Sequence, residues 1–220
     1  MVLHSIFLKP LENSTVTHPT SAPDAPFDAL RKQLRQAAIQ AREALPAAVR
    51  AAHTRAIEAH LDGLVARLAP RRLAFCWPWK SEVDLLPWVE NWLAADPARQ
   101  AALPVVVAPH APMGFARWAP GMAMETDRYG IPVPAAPEAI QPDLLLIPLN
   151  AFDAAGYRLG YGGGYFDRTL AALAPAPVCV GIAFEVARVA STHPQPHDQP
   201  MDWVVTEAGA FGPLGAVTQA

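Results

Sequence analysis

The chain has 220 residues, with 17 Lys and Arg against 20 Asp and Glu and a formal net charge of −3, which excludes the strongly basic footprint of a nucleic-acid binder. Its 52% apolar content excludes a wholly disordered chain, and no apolar run approaches the ~20 residues of a membrane span. The 24 prolines are about twice the usual share, but they follow no period, which excludes a collagen-like chain.

Residues 1–23 mix Ser, Thr, Pro and His without periodicity and read as a flexible tail; residues 24–220 read as a single α/β domain. The opening MVLHSIFLKPLENS lacks the basic region of a secretory signal. The spacing of Leu30, Leu34, Ala37, Ala38 and Ala41 predicts a first helix. Its bases, Arg31, Lys32, Arg35 and Arg42, read as a solvated face or, alternatively, as an edge that contacts phosphate. Pro46 is expected at the first position of a second helix, AAVRAAHTRAIEAHLDGLVARL, which stops before Pro70.

After Pro70 the texture changes. RRLAFCW reads as a buried strand, and LLPWVENWLAAD as a helix with Trp88 and Trp92 packed inward at i, i+4 spacing. LPVVVAP reads as a strand, GFARW as an edge strand, DLLLIPL as a strand and YFDRTLAALA as a helix. APVCVGIAF is a further strand and DWVVTE the last one. Strands alternating with helices predict parallel pairing through helical crossovers. Pro70, Pro78, Pro104, Pro109, Pro148 and Pro177 punctuate these segments. Cys76 and Cys179 lie in strand-like runs and read as reduced core thiols.

The chemistry concentrates in Leu149 to Arg168, LNAFDAAGYRLGYGGGYFDR, between a strand and a helix. Ligands of open α/β sheets bind beyond the carboxyl ends of strands, where such loops lie. Gly162, Gly163 and Gly164 leave backbone N–H groups open to an anion, and the helix start adds partial positive charge. Arg158 suits phosphoryl oxygens, Asp167 suits a magnesium ion, and Tyr161 and Tyr165 suit a flat ligand. The string is neither a Walker A loop nor a GxGxxG fingerprint. Asp153 reads as a turn former, and Glu82 and Asp84 as helix caps or as ligand groups.

Taken whole, the string resembles the signature of the 5-formyltetrahydrofolate cyclo-ligases: Pro148, then Ala151-Phe152-Asp153, Gly156, and Arg158 through Arg168. Supporting pieces occur in the family's order: Arg31 to Arg35, Glu82-Val83-Asp84, Met113 with Phe115 and Trp118, and His197-Asp198 ahead of Met201-Asp202. Three departures stand out. Gly130-Ile131-Pro132-Val133-Pro134 lacks the family's Glu, Leu149-Asn150 replaces Gly-Val, and a common Gln is absent from FEVARV.

The resemblance implies a three-layer open sheet, mostly parallel, with helices on both faces, Rossmann-like and akin to the sugar-phosphate isomerases and CoA-transferases. It implies a cytoplasmic monomer or weak homodimer that uses ATP and Mg2+ to close 5-formyltetrahydrofolate to 5,10-methenyltetrahydrofolate through an imino-phosphate. Arg158 and Tyr165 would be catalytic. ATP would meet Arg31, Arg35, Arg158, Leu159, Gly160, Tyr161, Gly162, Gly163, Gly164, Tyr165 and Phe166. Folate would meet Trp77, Glu82, Trp118 and the Tyr161–Tyr165 stretch, and Asp167 and Asp198 would hold magnesium. No nucleic acid or membrane partner is implied. Two other readings stay open: a homologue that binds nucleotide or folate without turnover, and a sugar-phosphate isomerase-like enzyme that uses the loop for phosphate alone. Arg158→Ala is expected to weaken ATP use and leave the fold intact.

Overall fold

The apolar runs between prolines become the strands of one sheet. The structure, a computed structural model, describes residues 25–214; the expected tail over 1–23 lies outside the described residues. Two helices come first, α1 (Ala25–Glu43) and α2 (Ala47–Leu68). They are followed by β1 (Arg72–Ala74), α3 (Leu86–Ala94), β2 (Gln100–Val105), β3 (Gly114–Trp118), β4 (Met124–Thr126), β5 (Pro132–Pro134) and β6 (Leu144–Pro148). The remainder is β7 (Ala151–Phe152), β8 (Arg158–Leu159), α4 (Tyr165–Ala172), β9 (Val178–Ile182), β10 (Trp203–Thr206) and β11 (Gly209–Phe211).

The seven-stranded sheet runs β11-β10-β9-β6-β1-β2-β3. The five central strands, β10-β9-β6-β1-β2, pair parallel. The two edges, β3 and β11, pair antiparallel. Alternate residues feed opposite faces of the sheet, as the period of a strand requires. Leu73, Phe75, Leu144, Leu146, Val180 and Val205 meet Ile57, Leu61 and Leu64 of α2 and Trp88, Val89 and Trp92 of α3. Ala74, Leu145, Ile147, Cys179 and Val204 meet Phe166 and Leu170 of α4. Each fully buried Leu or Ile contributes about 1.5–3 kcal/mol. The three-layer expectation and the inward pair Trp88 and Trp92 are both observed.

α1 docks separately. Leu34 and Ala38 pack on Ala151 and Leu159 of the β7–β8 ribbon and on Val189. Arg31, Leu34, Arg35, Ala38 and Arg42 lie on this packed side, at the spacing of one helical stripe. The solvated-face expectation therefore fails for Arg42, which is 3% exposed; Lys32 is the base that faces water.

Several boundaries differ from the sequence reading. β2 begins at Gln100, because its register with β1 pairs Arg72 with Gln100. β11 follows what read as the last strand. The ribbons β4–β5 and β7–β8 interrupt stretches that read as loop. Pro46 precedes α2 as its cap, with ψ 145°, instead of occupying the first turn.

Gly156 turns the chain between β7 and β8. Its φ of +85° and a Cβ position 2.8 Å from the carbonyl oxygen of Met201 leave no room for a side chain. Its own carbonyl accepts from Met201 N–H at 2.9 Å, pinning the 191–201 segment to the ribbon. Gly156→Ala is expected to cost about 2 kcal/mol and lower Tm by about 5 °C, read by thermal denaturation; an unchanged Tm would show that this contact yields freely.

Candidate active site

The chain leaves β1 toward β2 on one side and enters β6 on the other. The loops beyond β1 and β6 therefore diverge and open a crevice at the carboxyl ends of the strands. The β1 loop carries Glu82. The β6 side carries Asn150, the β7–β8 ribbon and the glycine loop that leads into α4.

The glycine loop is built to present its backbone. Gly162 has φ +92° and Gly164 φ +62°, conformations open to residues without Cβ. Arg35 Nε donates to Gly160 O at 2.6 Å, and Arg168 Nη2 to Gly163 O at 2.6 Å. With those carbonyls engaged, no acceptor among the described residues meets the N–H groups of Gly162, Gly163 or Gly164. The loop thus shows donors and positive charge at the start of α4, the arrangement an anionic group requires.

Two ion pairs flank it. Arg158, its side chain 4% exposed, donates Nη2 to Asp167 Oδ1 at 2.8 Å and Nη1 to Gln199 O. Arg31 donates Nη1 to Asp198 Oδ2 at 2.6 Å and to His193 O at 2.8 Å, and Nη2 to Asp198 Oδ1 at 3.2 Å. Burial pushes the Asp198 carboxyl up, but Arg31 and the Gln195 N–H overcome it and hold the group below its usual range. Two arginines expected at phosphate and two aspartates expected at magnesium are thus paired with each other. Among the described residues no cluster of three or more His, Cys, Asp or Glu is arranged as a metal cage. Asp167 Oδ2 has no donor among the described residues, whereas both oxygens of Asp198 are taken.

Across the crevice, Tyr161 donates its hydroxyl to Glu82 Oε1 at 2.9 Å, and Trp79 N–H donates to Oε2 at 3.0 Å. Arg42, missed as a site residue, donates to Tyr161, Asn150 and Lys80. Asp84 caps α3 through Leu86 N–H at 3.0 Å, so only Glu82 of the two carboxylates faces the crevice. Asp153 is a turn former, accepting from the N–H groups of Ala155 and Tyr157 and from Thr192.

The β4–β5 hairpin reaches the same mouth. Tyr129, also missed, brings its hydroxyl within 2.6 Å of that of Tyr165, and a Cβ on Gly130 would lie 3.9 Å from Trp79. Several of the expected site residues are buried or partly buried. Trp118 is 5% exposed and packs edge-on to Phe75 in the core, ring centres 5.1 Å apart. Leu159 and Phe166 turn their side chains into the core, leaving only backbone to a ligand. Arg158 is buried and paired, so its removal disturbs the fold as well. Trp77 is half-buried against the core beside Glu82's loop.

A carboxylate and a glycine loop with open N–H groups face each other at the switch point of the sheet, where open α/β folds take their ligands. The sequence profile of the 5-formyltetrahydrofolate cyclo-ligase family matches residues 28–207. A 5-formyltetrahydrofolate cyclo-ligase of Mycolicibacterium smegmatis is 29% identical over 185 residues, 80% of this chain and 93% of that one. The solved 5,10-methenyltetrahydrofolate synthetase of Aquifex aeolicus superposes with a TM-score of 0.74 at 26% identity, covering 87% of this chain and 96% of its own. A second such synthetase, from Mycoplasma pneumoniae, shares the fold at TM-score 0.66 and 24% identity, over 80% and 98% of the two chains. The chain belongs to the 5-formyltetrahydrofolate cyclo-ligase family and is an enzyme of that class.

Burial pushes the Glu82 carboxyl above the usual carboxylate range; Tyr161, Arg42 and the Trp79 N–H pull it only part of the way back. The folded protein holds this proton more tightly than the unfolded chain, so the ionised group costs stability that grows as pH rises through the raised value. Glu82→Gln removes that cost. Its Tm relative to wild type is expected to climb between pH ~4.5 and pH ~7. A difference that stays flat or falls over that range, in thermal melts at several pH values, contradicts a Glu82 carboxyl raised by burial.

Proposed function

We propose that the crevice closes 5-formyltetrahydrofolate to 5,10-methenyltetrahydrofolate at the expense of ATP. The observation that carries this reading is the 2.9 Å bond from Tyr161 of the glycine loop to Glu82, which sets the loop of the phosphate cradle beside the ring-recognising carboxylate. Glu82, ionised, accepts two parallel hydrogen bonds from the amino-pyrimidine edge of the folate. The N–H groups of Gly162 to Gly164 and the guanidinium groups of Arg35 and Arg158 receive the phosphates of ATP.

The formyl oxygen attacks the γ-phosphorus and ADP leaves, giving an imino-phosphate. N10 then bonds the activated carbon, its proton is released, and the C–O bond breaks to expel inorganic phosphate. Phosphorylation turns a poor leaving oxygen into a good one. The protein's share is position and charge, as phosphoryl transfer requires. Holding N10 against the carbon contributes on the order of 7–11 kcal/mol. Tyr165 lines this mouth, its ring carrying the Arg168 guanidinium at 5.1 Å.

Magnesium fits Asp167, a hard oxygen ligand with one oxygen free among the described residues, together with the phosphates themselves. When bound it supplies charge neutralisation at those phosphates. Asp198 fits as the anchor of Arg31. Cys76 and Cys179 are free thiols, which suits a reducing compartment, and we read the enzyme as cytoplasmic. No helix among the described residues is long and apolar enough to cross a membrane.

Incubation with 5-formyltetrahydrofolate, ATP and magnesium is expected to produce methenyl-folate absorbance with one ADP per turnover. Absence of product at saturating ATP overturns the reading. Arg158→Ala is expected to lower kcat/KM for ATP by about 100-fold or more. It is also expected to cost about 3 kcal/mol of stability, because Asp167 loses its partner. Unchanged steady-state kinetics would remove Arg158 from the phosphate site.

A further inference from the structure

Beneath the crevice lies a buried cation to which the proposed reaction assigns no task. Arg42, on the last turn of α1, is 3% exposed. Its Nε donates to Lys80 O at 3.1 Å, Nη1 to Asn150 Oδ1 at 2.9 Å and Nη2 to the Tyr161 hydroxyl at 3.1 Å. Among the described residues no carboxylate pairs with it directly. A buried charge without a counter-charge is costly. Here the counter-charge stands one hydroxyl further out, because Tyr161 donates its hydroxyl hydrogen bond to Glu82.

The three acceptors belong to three separate segments: the β1 loop, the residue pair after β6, and the glycine loop. A planar guanidinium with five fixed donors holds such acceptors in one geometry, which a lysine ammonium does not. Asn150 is itself 1% exposed, so the Arg42 end of the relay is shielded from water.

We propose that Arg42 is a positioning residue for folate: acting through Tyr161, it holds the Glu82 carboxylate aimed at the amino-pyrimidine edge. The proposal rests on the reading that Glu82 receives that edge. The groups facing Glu82 come from several elements. Arg42 comes from α1 and Tyr161 from the glycine loop. Cys76 and the Trp79 N–H come from the β1 side, where burial raises the Cys76 thiol. Lys80 lies 5.9 Å from the centre of the Tyr161 ring, and Asp84 is turned to α3. Burial raises Glu82, and the Tyr161 bond and the Arg42 charge oppose it. Loss of either opponent shifts protonation of Glu82 to higher pH, and folate binding loses its acceptor there.

The test is calorimetric titration of 5-formyltetrahydrofolate into wild type, Arg42→Met, Arg42→Lys and Tyr161→Phe from pH 5 to pH 8, with ATP titrated in parallel. Arg42→Met is expected to weaken folate binding at pH 7 about tenfold or more, to change ATP binding by less than about threefold, and to move the acid limb of folate binding to higher pH. Arg42→Lys, which keeps the charge, is expected to return the acid limb toward wild type without restoring the full affinity. Tyr161→Phe alters a half-exposed side chain and moves the limb in the same direction, so the proposal stands or falls on it if the Arg42 variants do not fold. Unmoved acid limbs, or equal losses for ATP and folate, overturn the relay. Wild-type protein that binds ATP and no folate at any pH overturns the substrate reading, and the relay with it.

Discussion

The reversal of strand order between β1 and β6 is the constraint on which the molecule depends. Parallel strands need long crossovers, and here the first crossover runs to β2 while the chain later returns to the other flank of β1. The loops above β1 and β6 therefore diverge, joined by the bond from Tyr161 to Glu82, and the rest of the cleft between them is closed by another element. α1 closes it. The helix carries few large apolar residues on its packed side and docks chiefly through Arg31, Arg35 and Arg42, each bonded to a different loop. Polar docking of this kind adds little to stability and much to definition, because guanidinium groups accept few geometries.

Charge is handled in closed pairs. Arg31 with Asp198 and Arg158 with Asp167 cancel locally, and Gln195 and Gln199 tie the 191–200 segment to the same carboxylates. A polyanion entering the loop would meet oriented N–H dipoles flanked by two ion pairs whose charges already cancel. The reorganisation that water would impose is reduced before any ligand arrives.

The regular elements were legible because each has a long apolar signature. α2 matches its sequence segment residue for residue, since a proline stands at either end and Ile57, Leu61 and Leu64 keep a helical stripe. The two ribbons were illegible: strands of two or three residues are too short to show a period. The glycine loop was legible from its composition, and Glu82 from the family pattern. Arg42 was not, because a base on an amphipathic helix ordinarily faces water, and only the fold reveals Asn150 and Tyr161 waiting for it. Trp118 was ambiguous for the converse reason. An aromatic residue on an edge strand can stack on a ligand or on Phe75, and packing chose Phe75.

The pairing of Arg31 with Asp198 spans 167 positions of the chain. Residues emerge from the ribosome in order, so α1 is made first and its partner last among the pieces of the site. Until the 191–200 segment appears, Arg31 has neither Asp198 nor the His193 carbonyl to hold it, and Arg158 lacks the Gln199 carbonyl. The crevice is thus complete only once the 191–200 segment has joined α1 and Arg158.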